Sequence, residues 1–170
     1  MIRDAVAKDA KSIAHVHVSS WQHAYAELMP ADFLAGLSAT LPQKQANWAR
    51  TIENQDLDVL VCEKDGKVIG WIAVGPCRDE DKPEAMAGEV MAIYVLAEYW
   101  GRRIGAQLWE AGLKRLVDQG YKRITLWVLA RNQRAICFYQ RFGGIEEPAS
   151  RRTLVRGGVT LEEVRYVWIE

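Results

Sequence analysis

The stretch EVMAIYVLAEYWGRRIGAQL, residues 89–108, constrains the fold more than any other part of the chain. An apolar, β-favouring run over 90–96 gives way to a short polar turn holding Gly101 and Gly105. Trp109, Leu113, Leu116 and Val117 then recur at helical spacing, so the order is strand, glycine turn, helix. Such a junction aims unpaired backbone N–H groups and the positive end of a helix dipole at one place, which suits a phosphate-bearing ligand. Two glycines alone equally suit an ordinary strand-to-helix turn. No Gly-Lys-Ser/Thr follows, so this is not a Walker loop, and G-x-G-x-x-G is absent, so it is not a dinucleotide fingerprint.

The rest of the chain reads around this junction. Residues 2–5 suit an edge strand, and Asp9 precedes a helical pattern through Ile13, Val16, Ser20, Trp21 and Ala24. Pro30 opens a short helix, and Pro42 stands where a helix over 43–53 would start. Runs at 57–63 and 67–74 flank Asp65-Gly66, a hairpin signal. Residues 77–87 form a polar loop. After Gly120, the run at 123–128 is strand-like, and a strand–helix–strand unit over 89–128 predicts a parallel crossover. Asn132 suits the N-cap of a helix that Gly143-Gly144 ends, and Gly157-Gly158 joins a last hairpin of 151–156 and 159–169. The expectation is one α/β (α+β) domain over residues 1–170, with a mixed, mostly antiparallel sheet, flanking helices and a central parallel β-α-β unit.

Composition narrows the function. The formal net charge of zero covers an asymmetry: residues 1–97 carry 9 Lys and Arg against 14 Asp and Glu, whereas residues 98–156 carry 12 against 5. That is either ordinary solvated surface or a small polyanion held by the second half. Nucleic acid is not expected, because the basic residues are scattered. No apolar run reaches a membrane span, and no secretory leader is legible at the start. Three widely spaced cysteines, Cys62, Cys77 and Cys137, suit reduced thiols in a cytoplasmic protein. His15, His17 and His23 do not match metal spacing, so no metal is expected.

Two side chains stand out beside the turn. Tyr139 lies seven residues, two helical turns, beyond Asn132; a phenol there either packs or donates a proton to a leaving thiolate. Glu89 opens the central strand and either serves the reacting centre or pairs at a strand end. Cys137 reads as packing, and Trp21, Tyr25 and Trp71 suit core positions.

Together these segments resemble the GCN5-related N-acetyltransferase (GNAT) superfamily over nearly the whole length. The resemblance is carried by IRDAVAKDAKSIAHVHVSSWQHAY, DGKVIGWIAV, EVMAIYVLAEYWGRRIGAQL and, most specifically, ARNQRAICFYQRFGG. It implies a V-shaped splay in the sheet, opened by a β-bulge, with acetyl-CoA lying in it. Ile93, Tyr94 and Val95 would bond the pantetheine arm through their backbones. The amides of Gly101, Arg102, Arg103, Ile104, Gly105 and Ala106 would cradle the pyrophosphate, and Asn132 would contact the cofactor arm. Tyr139 would be the general acid and Glu89 the general base through water. Trp21, Tyr25, Trp71 and the 77–87 loop would bound the acceptor, and the loop's Asp79, Glu80, Asp81 and Glu84 suit a polyamine-like small molecule, with a peptide amine as the other option. A homodimer is a further family expectation. The usual turn, Gln/Arg-x-x-Gly-x-Gly/Ala, carries Trp100 and Arg103 at its first and fourth positions here. The cradle tolerates Arg103 if the local φ is negative. The alternative is a non-catalytic acyl-CoA-binding sensor or regulatory module, which would need neither Tyr139 nor Glu89.

Overall fold

The computed structural model describes residues 1–79 and 87–169. In chain order the described elements are β1 (Ile2–Asp4), α1 (Ala10–Ala24), α2 (Ala31–Gly36), α3 (Leu41–Asn54), β2 (Asp58–Lys64), β3 (Lys67–Pro76), β4 (Ala87–Val95), α4 (Ile104–Asp118), β5 (Arg123–Leu129), α5 (Gln133–Arg141), β6 (Ile145–Glu146), β7 (Arg152–Arg156) and β8 (Val159–Ile169). One sheet runs β1-β2-β3-β4-β5-β8-β6, with β7 also on β8. Every pairing is antiparallel except β4 with β5, the pair that α4 connects. Both hairpin turns hold two consecutive residues at positive φ, Asp65 at 51° and Gly66 at 74°, then Gly157 at 58° and Gly158 at 77°. That geometry matches the right-handed twist of the strands they join.

The sheet splits at its centre. β4 and β5 pair at 87–123, 88–124 and 89–125 and nowhere beyond. On its other side β4 pairs Ala92 with Ala73 and Val90 with Val74, so Met91 is the extra residue of a bulge. Past that bulge β4 stays with β3 while β5 follows β8, and a gap opens between them.

The two helical layers lie on opposite faces of this gap. A Cβ on Gly112 of α4 would meet Ile72 Cδ1 at 2.6 Å and Val74 Cγ1 at 3.3 Å, so α4 covers the face of Ile72 and Val74. Trp71 points the other way along the pleat. Its indole N–H donates to the Ile13 carbonyl of α1 at 3.1 Å, so α1 covers that second face. The gap therefore connects the α4 layer with the α1 layer.

Three local features lie outside the sequence reading or correct it. Asp9 does not cap α1 through its side chain; its carboxylate accepts the Arg3 guanidinium at 2.8 Å and the Val6 N–H at 2.9 Å. Residues 145–146 form the two-residue strand β6, too short to show a period. Cys137, read as packing, is exposed, because Ile136 and Tyr139 take the buried face of α5.

Candidate active site

The gap widens into a cleft of ≈ 1490 Å³ walled by α1, β4, the turn before α4, β5, α5 and the β7–β8 hairpin. Glu89, Ile93, Tyr94, Val95, Gly101, Arg103, Ile104, Gly105, Ala106, Asn132, Tyr139, Trp21, Tyr25 and Trp71 all line it. Arg102 does not; its guanidinium lies 5.5 Å from the Tyr99 ring centroid.

At the turn, the backbone N–H groups from Gly101 to Ala106 have no acceptor among the described residues, and the first bonded amide of α4 is Gln107, to Arg103 O at 3.0 Å. Gly101 stands at φ 76° and Arg103 at φ 62°, with Arg102 between them outside the left-handed region. Alternation of this kind curls consecutive N–H groups to one side, a concavity made for an anion. Arg103 thus occupies the left-handed region, contrary to the negative φ expected of it, at a cost of about 1–2 kcal/mol for a side-chain-bearing residue. Arg102, Arg103 and Arg134 have no carboxylate partner among the described residues, so the turn is also a focus of positive charge.

Trp100 works on both sides of this turn. Its indole N–H donates to Val95 O at 2.8 Å, and the Arg134 guanidinium lies 3.2 Å above its ring centroid. The residue at the variant position therefore ties the end of β4 to the start of α5. Burial on that ring lowers the pKa of Arg134.

The N–H and C=O of one strand residue point the same way, and neighbours alternate. Leu96 N–H bonds Ile69 O at 2.9 Å across to β3, and Trp71 is register partner to Tyr94. Leu96 and Tyr94 therefore turn their main chains to β3, and Ile93 and Val95 turn theirs to the cleft. Of the three backbones named from the resemblance, Tyr94 contributes its side chain to the cleft and not its main chain.

Asn132 caps α5, its Oδ1 accepting the Ala135 N–H at 3.3 Å, and α5 carries Tyr139 on its buried face. The Tyr139 ring packs on Trp109, with centroids 5.4 Å apart. Its hydroxyl makes no hydrogen bond among the described residues. Burial, with Tyr94 nearby, pushes its pKa well above that of an ordinary phenol.

Glu89 is 1 % exposed and held by Arg78. Its Oε1 accepts Arg78 Nη2 at 2.7 Å, and its Oε2 accepts Arg78 Nε at 3.1 Å and the Arg78 backbone N–H at 3.0 Å. Glu89 is thus paired at a strand end, and it also lines the cleft. Sequence reasoning missed Arg78, because the pairing joins the segment after β3 to β4.

The acceptor side is aromatic. Trp21 donates its indole N–H to Tyr94 Oη at 2.8 Å, and Trp21 and Tyr25 rings meet edge to face at 5.1 Å. Trp71, also on the cleft wall, is fully buried, and its ring meets that of Tyr94 edge to face at 5.3 Å. His17, one of the three histidines without metal spacing, stacks on Tyr94 at 5.3 Å, and burial depresses its pKa to about 4. Of the four loop acids, Glu80, Asp81 and Glu84 lie outside the described residues. Asp79 accepts Trp127 Nε1 at 3.1 Å and Arg165 Nη1 at 2.9 Å, so its charge is already engaged.

Comparison with known proteins agrees with this geometry. A sequence model of the acetyltransferase (GNAT) family matches residues 16–144. The chain is 32% identical over 169 residues to the uncharacterized N-acetyltransferase YuaI of Bacillus subtilis (strain 168), covering 98% of this chain and 91% of that one. Its fold is similar to that of the PaiA N-acetyltransferase of Thermoplasma acidophilum in complex with coenzyme A, with TM-score 0.77, 21% identity, and coverage of 100% and 98%. It is also similar to YncA of Salmonella typhimurium, a putative acetyltransferase solved with acetyl-CoA, with TM-score 0.73, 18% identity, and coverage of 99% and 92%. An open cradle of backbone amides beside a split sheet, and matches along most of the length, lead to one conclusion: the chain belongs to the GNAT family of acetyltransferases.

Proposed function

We propose that this protein transfers the acetyl group of acetyl-CoA directly to a primary amine of a small molecule or a peptide. The observation that carries the reading is the Tyr139 hydroxyl, a buried phenol without a hydrogen-bond partner among the described residues, lining the same cleft as the open amide cradle. A module that only bound an acyl-CoA would need the cradle and not this phenol.

The residues fit the cofactor. The Gly101–Ala106 amides with Arg103 and Arg134 suit a diphosphate, and the Ile93 and Val95 main chains suit an amide-bearing arm laid beside β4. Acetyl-CoA supplies an acetyl group activated as a thioester, with a thiolate as leaving group. Holding amine and thioester in one cleft removes about 7–11 kcal/mol of the bimolecular barrier. Tyr139 keeps its proton at neutral pH and gives it to the departing sulfur. Glu89, with both oxygens bonded to Arg78, takes the amine proton through ordered water. The unfilled main-chain N–H groups at the β4 edge stabilise charge developing on the carbonyl oxygen.

Two measurements test this. Acetyl-CoA at 100 times its Kd should add about 2.7 kcal/mol of stability, seen as a thermal shift. Free-thiol release across an amine panel should then show turnover, and Tyr139→Phe should lower kcat at every pH. A thermal shift with no thiol release from any amine would replace this reading with that of an acyl-CoA sensor. Unchanged turnover in Tyr139→Phe would remove the general acid.

A further inference from the structure

The acceptor side of the cleft has a definite polarity. A phenol oxygen accepts two hydrogen bonds and donates one. In Tyr94 one acceptor position holds the Trp21 indole N–H at 2.8 Å. Burial raises the pKa of both Tyr94 and Tyr25, so each keeps its proton at neutral pH. No hydrogen bond among the described residues uses that proton of Tyr94, so it is available to a ligand. One helical turn from His17, Ser20 Oγ is buried, lines the cleft, and has no partner among the described residues.

The charges point the same way. On this side the cleft is lined by Arg78, Arg152 and Arg156 against Glu89 and Glu163. Arg78 holds Glu89, and Arg152 Nε donates to Glu163 at 3.0 Å. Arg156 donates only to the neighbouring Val155 carbonyl, at 2.9 Å, and has no carboxylate partner among the described residues. The β7–β8 turn rests on α2, where a Cβ on Gly157 would meet Phe33 Cβ at 2.7 Å, so the hairpin end carrying Arg156 is anchored beside the cleft. A polyamine finds no unpaired carboxylate among the described residues of this wall. An anion finds one guanidinium without a carboxylate partner among the described residues and a phenol with a proton to donate.

We propose that the acceptor is a small amine bearing a carboxylate within a few bonds of its nitrogen, with Arg156 pairing the carboxylate and Tyr94 donating a hydrogen bond to it. This rests on the amine-acetyltransferase reading and narrows its substrate class. Charge-assisted bonds of this type are the strong ones, and a site built from donors rejects a ligand that leaves them unpaired.

The test is a set of matched pairs differing in the carboxylate alone: leucine and isoamylamine, phenylalanine and phenethylamine, lysine and cadaverine. With acetyl-CoA and a free-thiol readout, the acid of the best pair is expected to exceed its partner at least tenfold in kcat/KM. Arg156→Gln should bring that preference below threefold, with the loss in KM for the acid, while the Kd of acetyl-CoA stays the same. Calorimetric titration of the N-acetylated products into the CoA-bound protein gives a second readout that needs no turnover, and the acid products should bind at least tenfold more tightly. Amines without a carboxylate that turn over as well or better overturn this inference and leave the acetyltransferase reading standing. A preference that survives Arg156→Gln, or products that bind equally or not at all, also overturns it. Preferential binding of acid products without turnover of any amine would sustain the carboxylate site and reject the acetyltransferase reading.

Discussion

His17 gives the protein an acid-sensitive point whose size can be worked out in advance. The ring stacks on Tyr94 at 18° and meets Trp21, Trp48 and Trp71 edge to face, with centroids 5.3–6.4 Å away. Its Nδ1 is buried with no partner among the described residues. Burial, and to a lesser degree Lys44, lowers its pKa from 6.5 to about 4. The unfolded chain therefore takes up a proton near pH 6.5 that the folded chain refuses until about pH 4. Stability is full above that upper value and falls as pH drops through the interval. The loss is about 2 kcal/mol at pH 5 and about 3 kcal/mol below pH 4. Out of a typical 5–15 kcal/mol this is a large share. Urea unfolding of the wild type and of His17→Phe at pH 7.5 and pH 5.0 isolates it, because the carboxylates and the other two histidines titrate alike in both proteins. The wild type should lose about 2 kcal/mol more than the variant between the two pH values. Equal losses, or a His17 ring titrating near 6.5 by NMR, would refute the reasoning.

Other expectations follow from the cradle. Arg103→Gly should be about 1 kcal/mol more stable than Arg103→Ala, since only the alanine keeps a Cβ in the left-handed region; coincident urea midpoints would count against that conformation. Trp100→Phe keeps a ring under Arg134 but loses the bond to Val95 O, and should weaken acetyl-CoA binding about three- to tenfold by calorimetry, the effect of one net hydrogen bond. Asn132→Ala should cost about 1 kcal/mol of stability and Asn132→Asp much less, because aspartate still caps α5; equal losses would show that the cap contributes nothing.

The parts legible in the sequence were those set by local rules. The glycine turn between an apolar, β-favouring run and a 3.6-period run placed β4 and α4, and Asp-Gly and Gly-Gly placed two hairpins. Asn132 as a cap and Gly143-Gly144 as a stop placed α5, whereas its buried face was misjudged at Cys137. What escaped depends on partners far along the chain. Arg78, past the end of β3, meets Glu89 of β4 eleven residues on, and Asp79 meets Trp127 and Arg165 at separations of 48 and 86 residues. No local pattern reveals that an acidic residue at a strand end is already neutralised. The sign of φ at Arg103 escaped for another reason: the turn imposes it, and arginine itself argues against it.

The three residue pairs between β4 and β5 make the sheet two ribbons fastened at one end. Such ribbons can open as separate cooperative units, each with its own free energy of exposure. A strand-like arm bonded to the Ile93 and Val95 main chains would act as a second fastening at the free end. Binding would then merge the two units, and amide exchange should slow not only along β4 but throughout β5 and β8, strands distant from the phosphate cradle. In this protein the donor substrate would complete the cooperativity of the fold as well as supply the group transferred.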